Sequence, residues 1–322
     1  MAVDMGATEA DTMTADRQPT TLMPKVAIKR WGRALSGVLV VAGVVLLGYS
    51  ISRGQVDWAI IPTQMTSDTM LEGVWNVVKL AFVAQVIAVV IGVGVALMRL
   101  SPNPVLRWVA FAYTWLFRGL PVLVQILLWY NIALIYPRIT IGIPFTTVDI
   151  VDQSSNVLVT AFVAALLGLA LNESAYMAEI VRAGLNSVDP GQKEAAQSLG
   201  MTPGQILRRV VLPQAMRVIV PPTGNNAINM IKATSLASVI GFVEVTKAAQ
   251  NLSSRDLAII EALFAASVWY MVIVSIANVG QYFLERRYNA STRDGGGSRA
   301  LLTRVGKSLY TPPVRRAEEI TS

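Results

Sequence analysis

The sequence predicts an all-α integral membrane protein with about six transmembrane helices. Hydrophobic residues make up 53% of the 322 residues and charged residues only 15%, with a mean hydropathy of +0.52. This balance is too apolar for an ordinary soluble domain. Several uncharged runs are long enough to cross a bilayer as helices. Basic residues flank these runs, as expected where positive charge sets the orientation of a membrane protein.

The amino-acid inventory excludes several kinds of chemistry. The chain has no Cys and no His, which removes disulfides, thiol nucleophiles, Cys/His metal sites and imidazole catalysis. The formal net charge of +7 lies beside apolar runs, so it is expected to orient the chain in the membrane and not to bind nucleic acid. No G-x-x-x-x-G-K-[ST] phosphate loop is present. We therefore expect no cofactor or metal in this chain, and an enzyme is the least favoured class.

The N-terminal region is predicted to add one helix to the membrane domain. Residues 1–30 are expected to form a disordered cytoplasmic tail, because the tail is mostly polar and acidic-leaning. Basic residues between Lys25 and Arg33 precede an uncharged run, which starts too late and is too long for a signal peptide. The sequence therefore predicts an extra transmembrane helix over residues 31–53, with residues 54–69 outside the cell.

The second and third spans are joined by a short cytoplasmic turn. The second is expected over residues 72–98, where Gly92 and Gly94 indicate close helix packing. The third is expected over residues 108–136. Within it, Arg118 is costly at membrane depth unless it is paired or hydrated, and Pro121 breaks the helical hydrogen bonding. A structural kink and a role in gating or subunit contact are both open for this segment.

The fourth span is predicted over residues 156–184, after an external loop at residues 137–155. Glu179 and Arg182 lie three residues apart on one helix face, which favours a structural pair at the membrane boundary. Glu173 lies deeper. Ionisable groups inside a membrane are candidate site residues, so Glu173 is expected to be protonated, paired or directed to a translocation path.

A polar island at residues 189–213 follows the fourth span and predicts two short helices joined at a glycine. Asp189 and Pro190 suit the cap and the first turn of the first helix, and Gly200 suits its end. Thr202 and Pro203 suit the same cap and first-turn positions at the start of the second helix. We expect Pro213 to end that helix.

The fifth and sixth spans complete the domain. The fifth is expected to be broken at Pro221, Pro222 and Gly224. The polar residues after this break recur near helical spacing, so several of them could line one water-filled face of a helix. They are Asn225, Asn226, Asn229 and Lys232. Residues 246–256 are predicted to be a polar external connection, residues 262–284 the final span and residues 288–322 a flexible cytoplasmic tail.

Several ordered motifs between residues 70 and 287 resemble the membrane permeases of ATP-binding-cassette (ABC) importers, in particular the permeases for polar amino acids. They are ALMRLS ending the second span, FRGLP followed by Gln125, LNESAYMAEIVRAG, the EAA sequence beginning at Glu194, and a PP-N-K-TSL run in which Ala233 stands where the family often has an acid. The resemblance implies the type I importer permease fold, with an ATPase-coupling loop at the polar island: Glu194, Ala195, Ala196, Gly200, Ile206, Arg208, Arg209, Leu212 and Pro213.

The resemblance also implies the partners and the location of the chain. These are two ABC ATPase subunits that bind the ATP, a second permease that is identical or a sister, an extracytoplasmic solute-binding protein and an amino acid substrate. The protein would be a non-catalytic, multi-pass subunit in the bacterial cytoplasmic membrane, with both termini in the cytoplasm. Residues 137–155 are a candidate landing surface for the binding protein, and a plain solvated connection has the same composition.

Polarity at membrane depth selects a set of candidate pathway residues, each of which also suits a role in helix packing. They are Arg118, Gln125, Glu173, Asn225, Asn229 and Lys232. A secondary transporter or channel that does not use ATP is the alternative function, although it gives no reason for the capped hairpin. A membrane scaffold or receptor subunit would explain the spans and the hairpin without a pathway.

Overall fold

A computed structural model describes residues 31–142 and 149–289. The predictions for residues 1–30, for the tail after Asn289 and for the segment 143–148 lie outside the described residues. Contacts divide the chain into two units, one ending at Val56 and one beginning at Asp57. The described helices are, in chain order, α1 (Trp31–Ser52), α2 (Ile60–Met65), α3 (Asp68–Leu100), α4 (Pro104–Gly119), α5 (Val122–Tyr130), α6 (Ser155–Leu158), α7 (Ala161–Asn186), α8 (Pro190–Ser198), α9 (Pro203–Ile206), α10 (Leu212–Ala233), α11 (Val245–Asp256) and α12 (Ile259–Asn289).

Helix α1 is the described part of the first unit. Residues Leu35–Ser52 form a continuous apolar segment of 18 residues, which is long enough to cross a membrane by length and composition. Its surface is apolar on all sides, as lipid requires of a helix without a polar face. The remaining helices belong to the second unit.

Helix α3 is the long central helix of the second unit. The Ser67 hydroxyl caps it by accepting a hydrogen bond from the Met70 amide at 3.3 Å. The predicted close packing holds for Gly92, where an added Cβ would lie 2.5 Å from the Met177 Cβ on α7. Gly94 has open space around it and does not pack against another described helix. The prediction for Gly94 is therefore wrong within the described residues.

The predicted third span is two helices rather than one. Helices α4 and α5 meet at Pro121 with a bend of 99°, and helical structure beyond Tyr130 is limited to a 3₁₀ turn at Ile132–Leu134. Pro121 has no N–H to donate, so carbonyls of the preceding turn need other partners. The Gln125 amide donates to the carbonyls of Phe117 and Leu120, both at 2.9 Å.

The predicted external loop contains an antiparallel β-hairpin, with strands β1 (Arg138–Gly142) and β2 (Asp149–Ser154). Arg138 and Asp152 form a two-point ion pair across it, with contacts of 2.5 and 2.7 Å. Ser155 closes the base, where its amide donates to the Pro137 carbonyl at 3.1 Å and its hydroxyl donates to the Tyr136 carbonyl. Helix α7 then begins at Ala161, five residues later than predicted.

The helix after the polar island is longer and more continuous than predicted. Pro213 does not end a helix, because a π-helical turn at Leu207–Val211 leads directly into α10. Such a turn changes the hydrogen-bond register, which lets proline occupy the first turn of the next α-helix. Pro221 and Pro222 also lie inside α10 and do not break it.

The segment predicted as a polar external connection is helix α11. A 3₁₀ helix at Thr234–Ile240 ends at Gly241, which has a φ of 79°. The helical stretch Pro203–Ile240 and helix α11 then meet at a bend of 46°. The carboxylate of Glu244 caps α11 by accepting from the amides of Thr246 and Lys247, both at 2.8 Å. The apolar face of this helix is buried: Val245, Ala248, Ala249 and Leu252.

Two apolar cores are found among the described residues of the second unit, one towards each end of α7. The first joins the ends of α3 and α7 to the polar island, with Ala96, Val181, Ala196 and Ile206 among its members. The second contains Leu80, Ile126, Leu169 and Met230, among others. In the described residues four helices are long and apolar enough to cross a membrane, and the number of candidate spans rises to six if each of the two bent helix pairs forms one span. The all-α membrane fold is thus confirmed.

Candidate functional site

The polar island folds as the predicted helical hairpin, called the coupling hairpin below (residues 189–213). Asp189 caps α8 by accepting a hydrogen bond from the Gly191 amide at 2.7 Å. At the elbow Gly200 has a φ of 73°. The amides of Gly200 and Met201 donate to the carbonyls of Gln197 and Ala196 at 2.9 and 3.2 Å. These two bonds form a Schellman motif, which needs the left-handed conformation that glycine adopts without a Cβ penalty.

The second helix of the coupling hairpin starts with the predicted cap. The Thr202 amide donates to the Gln205 side-chain oxygen at 2.9 Å, one half of a capping box. Ile206 is buried in the first core together with Ala196. Both side chains therefore hold the hairpin against the ends of α3 and α7, and neither is available to a partner.

The outer surface of the coupling hairpin carries the remaining predicted residues. Those exposed to solvent are Glu194, Ala195, Gly200, Arg208, Arg209, Leu212 and Pro213. Sequence reasoning missed Leu199, whose side chain is 82% exposed, and Leu207, which is 45% exposed. The signal for Leu199 was available, since an apolar residue just before a helix-ending glycine in a polar segment has no buried position to fill. An apolar centre with a polar rim is the usual composition of a protein interface, and Leu199 and Leu207 with the charged side chains around them fit it.

A second polar surface lies on α10, within the helix pair that is a candidate bent span. Asn225, Asn229 and Lys232 are exposed and share one face of the helix, because their spacing of four and then three residues follows its turns. Asn226 points elsewhere and donates to the Glu173 carboxylate on α7 at 2.7 Å. Glu173 is thus paired, one of the outcomes expected for it. Within the described residues the Lys232 ammonium has no ion pair.

Arg118 and Gln125 occupy different environments on either side of Pro121. Arg118 is exposed and its guanidinium lies 5.0 Å from the centroid of the Tyr176 ring. Gln125 is 3% exposed and both of its described hydrogen bonds serve the helix break. These contacts give Gln125 a structural role, and its burial gives no support to the pathway prediction.

The predicted pair of Glu179 and Arg182 is present on α7. The Arg182 guanidinium donates twice to the Glu179 carboxylate, at 2.9 and 2.7 Å. Arg99, at the end of α3, approaches the same carboxylate at 3.6 Å and was not predicted to do so. This three-residue cluster ties α3 to α7 close to the coupling hairpin.

Comparison with known proteins places this arrangement in a family. Residues 88–290 match the family described as the binding-protein-dependent transport system inner membrane component. The chain belongs to this family. It is therefore an integral membrane permease of an ABC importer, a class of protein that works with ATPase and solute-binding partners.

Relatives of known name support the assignment of this permease. The arginine transport system permease protein ArgU of Corynebacterium glutamicum is 36% identical over 282 residues, which is 87% of each chain. The arginine transport system permease protein ArtQ of Bacillus subtilis is 32% identical over 69% of this permease and 93% of its own length. A probable amino-acid ABC transporter permease of Vibrio harveyi, PatM, is 36% identical over 68% of this permease and 92% of its own length.

Solved structures agree with the fold. A crystal structure of an amino acid ABC transporter with histidines is 35% identical, has a TM-score of 0.61 and covers 73% of this permease and 100% of that chain. The MetNI methionine ABC transporter, in an inward-facing conformation, is 19% identical with a TM-score of 0.54, over 68% of this permease and 96% of that chain. The predicted type I importer permease fold is confirmed.

Proposed function

We propose that this permease carries a polar amino acid across the bacterial cytoplasmic membrane and that a separate ATPase subunit drives it. The observation that carries the proposal is the coupling hairpin, which presents Glu194 and Ala195 of the EAA sequence on its surface while buried Ala196 and Ile206 join it to the membrane helices. Relatives named for arginine, glutamine and nopaline transport support the substrate class. In this proposal the permease is the non-catalytic subunit.

The coupling hairpin transmits the movement of the ATPase. Glu194, Arg208 and Arg209 supply exposed charges, and Leu199 supplies an exposed apolar side chain between them along the chain. Buried Ala196 and Ile206 transfer a displacement of the hairpin to α3 and α7, since both lie in the core that those helices share. Closely packed cores respond to such displacements as units rather than deforming locally.

The polar face of α10 contributes to the translocation pathway together with Arg118. Amide and ammonium groups that face lipid would be costly, so the exposed Asn225, Asn229 and Lys232 require a polar or aqueous neighbour. A second permease, identical or a sister, provides that neighbour and encloses the path. The amides and the two basic groups suit a zwitterionic solute, because they can address its carboxylate and its ammonium.

The two ends of α7 support an orientation for the permease. This helix has 26 residues and is about 39 Å long, enough to separate its ends by the thickness of a bilayer. The coupling hairpin follows its C-terminal end and the β-hairpin precedes its N-terminal end. With the coupling hairpin in the cytoplasm, the β-hairpin is outside, where it is available to the solute-binding protein.

Uptake by the reconstituted importer tests the proposal. Proteoliposomes that contain the permease, its ATPase and the binding protein should accumulate labelled arginine or glutamine only when ATP is supplied. Accumulation without ATP, driven by an ion gradient, would instead establish the secondary transporter.

Neighbouring asparagines provide a matched pair of variants for the pathway. Asn229→Ala should lower uptake and leave the thermal stability unchanged, because this side chain is exposed and has no described partner. Asn226→Ala should lower stability, because it removes the hydrogen bond to the half-buried Glu173. If Asn229→Ala left uptake at the level of the unmodified importer, the α10 face would not be part of the path.

A further inference from the structure

A groove of basic and aromatic side chains runs along the exposed side of α4. It consists of two adjoining cavities of about 270 and 450 Å³ that share Arg99 and Phe111. The smaller cavity, called the arginine-tryptophan groove below, is lined by Arg99, Arg107, Trp108 and Phe111. Trp108 is 70% exposed and packs edge-to-face on Phe111, with ring centroids 5.7 Å apart. The larger cavity is also lined by Arg118, a pathway residue, whereas none of the four residues of the arginine-tryptophan groove belongs to the coupling or pathway sets.

The groove has an excess of positive charge. Arg107 is exposed, and within the described residues no carboxylate lies close enough to pair with it. Arg99 rests on the Phe111 ring, 5.3 Å from its centroid, and reaches Glu179 only at 3.6 Å. Glu179 is already bound more closely by Arg182 at 2.7 Å. Two guanidinium groups thus border a cavity whose nearest carboxylate is engaged, which favours an anionic ligand with oxygen acceptors.

The depth of the groove suits a lipid better than a soluble anion. Arg99 and Arg107 flank the turn between α3 and α4, on the side of the coupling hairpin, as the shared first core shows through Ala96 and Ala196. Trp115 lies about 10 Å further along α4 than Trp108 and is 69% exposed. Arg99 and Arg107 therefore sit at the end of the span, with Trp108 and Trp115 below them, and the next cationic group, Arg118, lies beyond Trp115 in the last turn of α4. Basic pockets on the cytoplasmic side and aromatic residues at the interface both favour lipid headgroups.

We propose that the arginine-tryptophan groove binds an anionic phospholipid of the inner leaflet. Arg107 and Arg99 bind the phosphate of the headgroup, and the acyl chains pack against Trp108 and Trp115. This placement rests on the orientation given under the proposed function. A zwitterionic lipid carries the same phosphate but adds an ammonium beside two guanidinium groups, so the groove prefers lipids with net negative charge.

Native mass spectrometry of the assembled importer tests this inference. The complex is extracted from nanodiscs made of equal parts phosphatidylcholine and phosphatidylglycerol, and the retained lipids are counted. Phosphatidylglycerol should be retained in preference. Arg107→Gln should lower that preference about fivefold, since one basic residue near anionic lipid is worth about 1 kcal/mol. Trp108→Ala should lower it as well. Arg286→Gln is the matched control, an exposed arginine at the end of α12 that should change nothing.

Three results of the lipid-retention experiment would overturn the proposal. They are equal retention of the two lipids, an equal loss in Arg286→Gln and Arg107→Gln, and displacement of phosphatidylglycerol by soluble glycerol phosphate. A cross-link from Trp108→Cys to the second permease subunit, in a complex without retained lipid, would also overturn it, because the groove would then be a subunit contact. Lipid retention is measured without transport. Equal retention of the two lipids would therefore leave the proposed function untouched, and a lack of ATP-driven uptake would leave the lipid proposal untouched.

Discussion

The two hairpins at the ends of α7 are held in different ways. The coupling hairpin is connected to the rest of the permease by buried apolar side chains, Ala196 and Ile206, which lie in the same core as the ends of α3 and α7. The β-hairpin is closed mainly by polar contacts, an exposed ion pair between Arg138 and Asp152 and the hydrogen bonds of Ser155 at its base. Apolar anchoring makes the first hairpin part of the membrane domain, and polar closure leaves the second an appendage of it.

The different anchoring of the two hairpins fits their different proposed functions. A segment that receives force from an ATPase must move the helices it joins, and a tightly packed core supplies that connection. A segment that only recognises a partner outside the cell needs a stable shape but no such connection. Changes at the coupling end should therefore affect folding and transport strongly, whereas changes in the β-hairpin should have small effects on both.

The largest expected effect is at the core that anchors the coupling hairpin. In Gly92→Ala the new Cβ would lie 2.5 Å from the Met177 Cβ and 2.9 Å from the Ser174 carbonyl, so α3 and α7 must separate. We expect a loss of about 2 kcal/mol in the free energy of unfolding. Gly94→Ala, two residues along the same helix in open space, is the control. Thermal unfolding in detergent measures both, and equal midpoints would show that this contact does not hold the helices together.

The next effect concerns the elbow of the coupling hairpin. Gly200→Val places a β-branched residue at a φ of 73°, which costs about 1 to 2 kcal/mol and favours other geometries of the elbow. ATP-driven uptake should fall about tenfold or more. Gly204→Val is the matched control, because Gly204 has open space and ordinary helical geometry in α9. Should both variants transport equally well, the shape of the elbow would have no part in coupling.

A smaller effect is expected for the exposed leucine on the coupling hairpin. Leu199→Ser removes an apolar side chain that the ATPase would cover, and its loss should weaken ATPase binding about fivefold, or about 1 kcal/mol. Leu134→Ser is the control, since Leu134 is equally exposed, at 83%, but lies next to the β-hairpin. Titration of the ATPase against the permease measures both affinities. The same weakening in Leu134→Ser would contradict the difference between the two ends.

The smallest effect belongs to the ion pair of the β-hairpin. The Arg138 guanidinium lowers the pKa of the Asp152 carboxyl by hydrogen bonding, so the pair stabilises the hairpin above the ordinary carboxyl pKa and is lost as the pH falls through the lowered value. Asp152→Asn should remove this acid-sensitive step and change uptake at neutral pH only slightly, because the pair is exposed. Hydrogen exchange of the strand amides against pH would follow it. If the exchange rates of Asp152→Asn depended on acid pH in the same way as those of the unmodified permease, the acid-sensitive step would not belong to this ion pair.

Local signals explain which parts of the fold were predictable. The caps at Asp189 and Thr202 and the elbow at Gly200 depend on residues within three or four positions of one another, so the sequence alone identified them. The role of Pro213 was mispredicted because the π-helical turn before it depends on packing across the chain. Helix α11 has the polar composition of a connecting segment, and only the helical spacing of its buried residues distinguishes it from one.

The candidate site was predictable in composition but not in direction. Their polar side chains in an apolar span identify both Asn225 and Asn226 as candidates, yet Asn225 is exposed and Asn226 donates a hydrogen bond to Glu173. Adjacent residues on a helix point about 100° apart, and only the positions of α7 and α12 decide which of them meets a neighbour. The partners of Gln125 could not be predicted either. They are the carbonyls of Phe117 and Leu120, which are free because the helix breaks at Pro121, and the local sequence does not determine the angle of that break.

Cysteine labelling shows which side of the membrane each hairpin faces. The chain has no Cys, so single-cysteine variants carry no background. Leu199→Cys and Gln153→Cys place one thiol on each hairpin at an exposed position. An impermeant maleimide should label Gln153→Cys in intact cells. It should label Leu199→Cys only in inside-out vesicles, and added ATPase should protect that thiol. If Leu199→Cys were labelled from outside, or if added ATPase did not reduce its labelling in vesicles, the coupling hairpin would not be the cytoplasmic docking site of the ATPase.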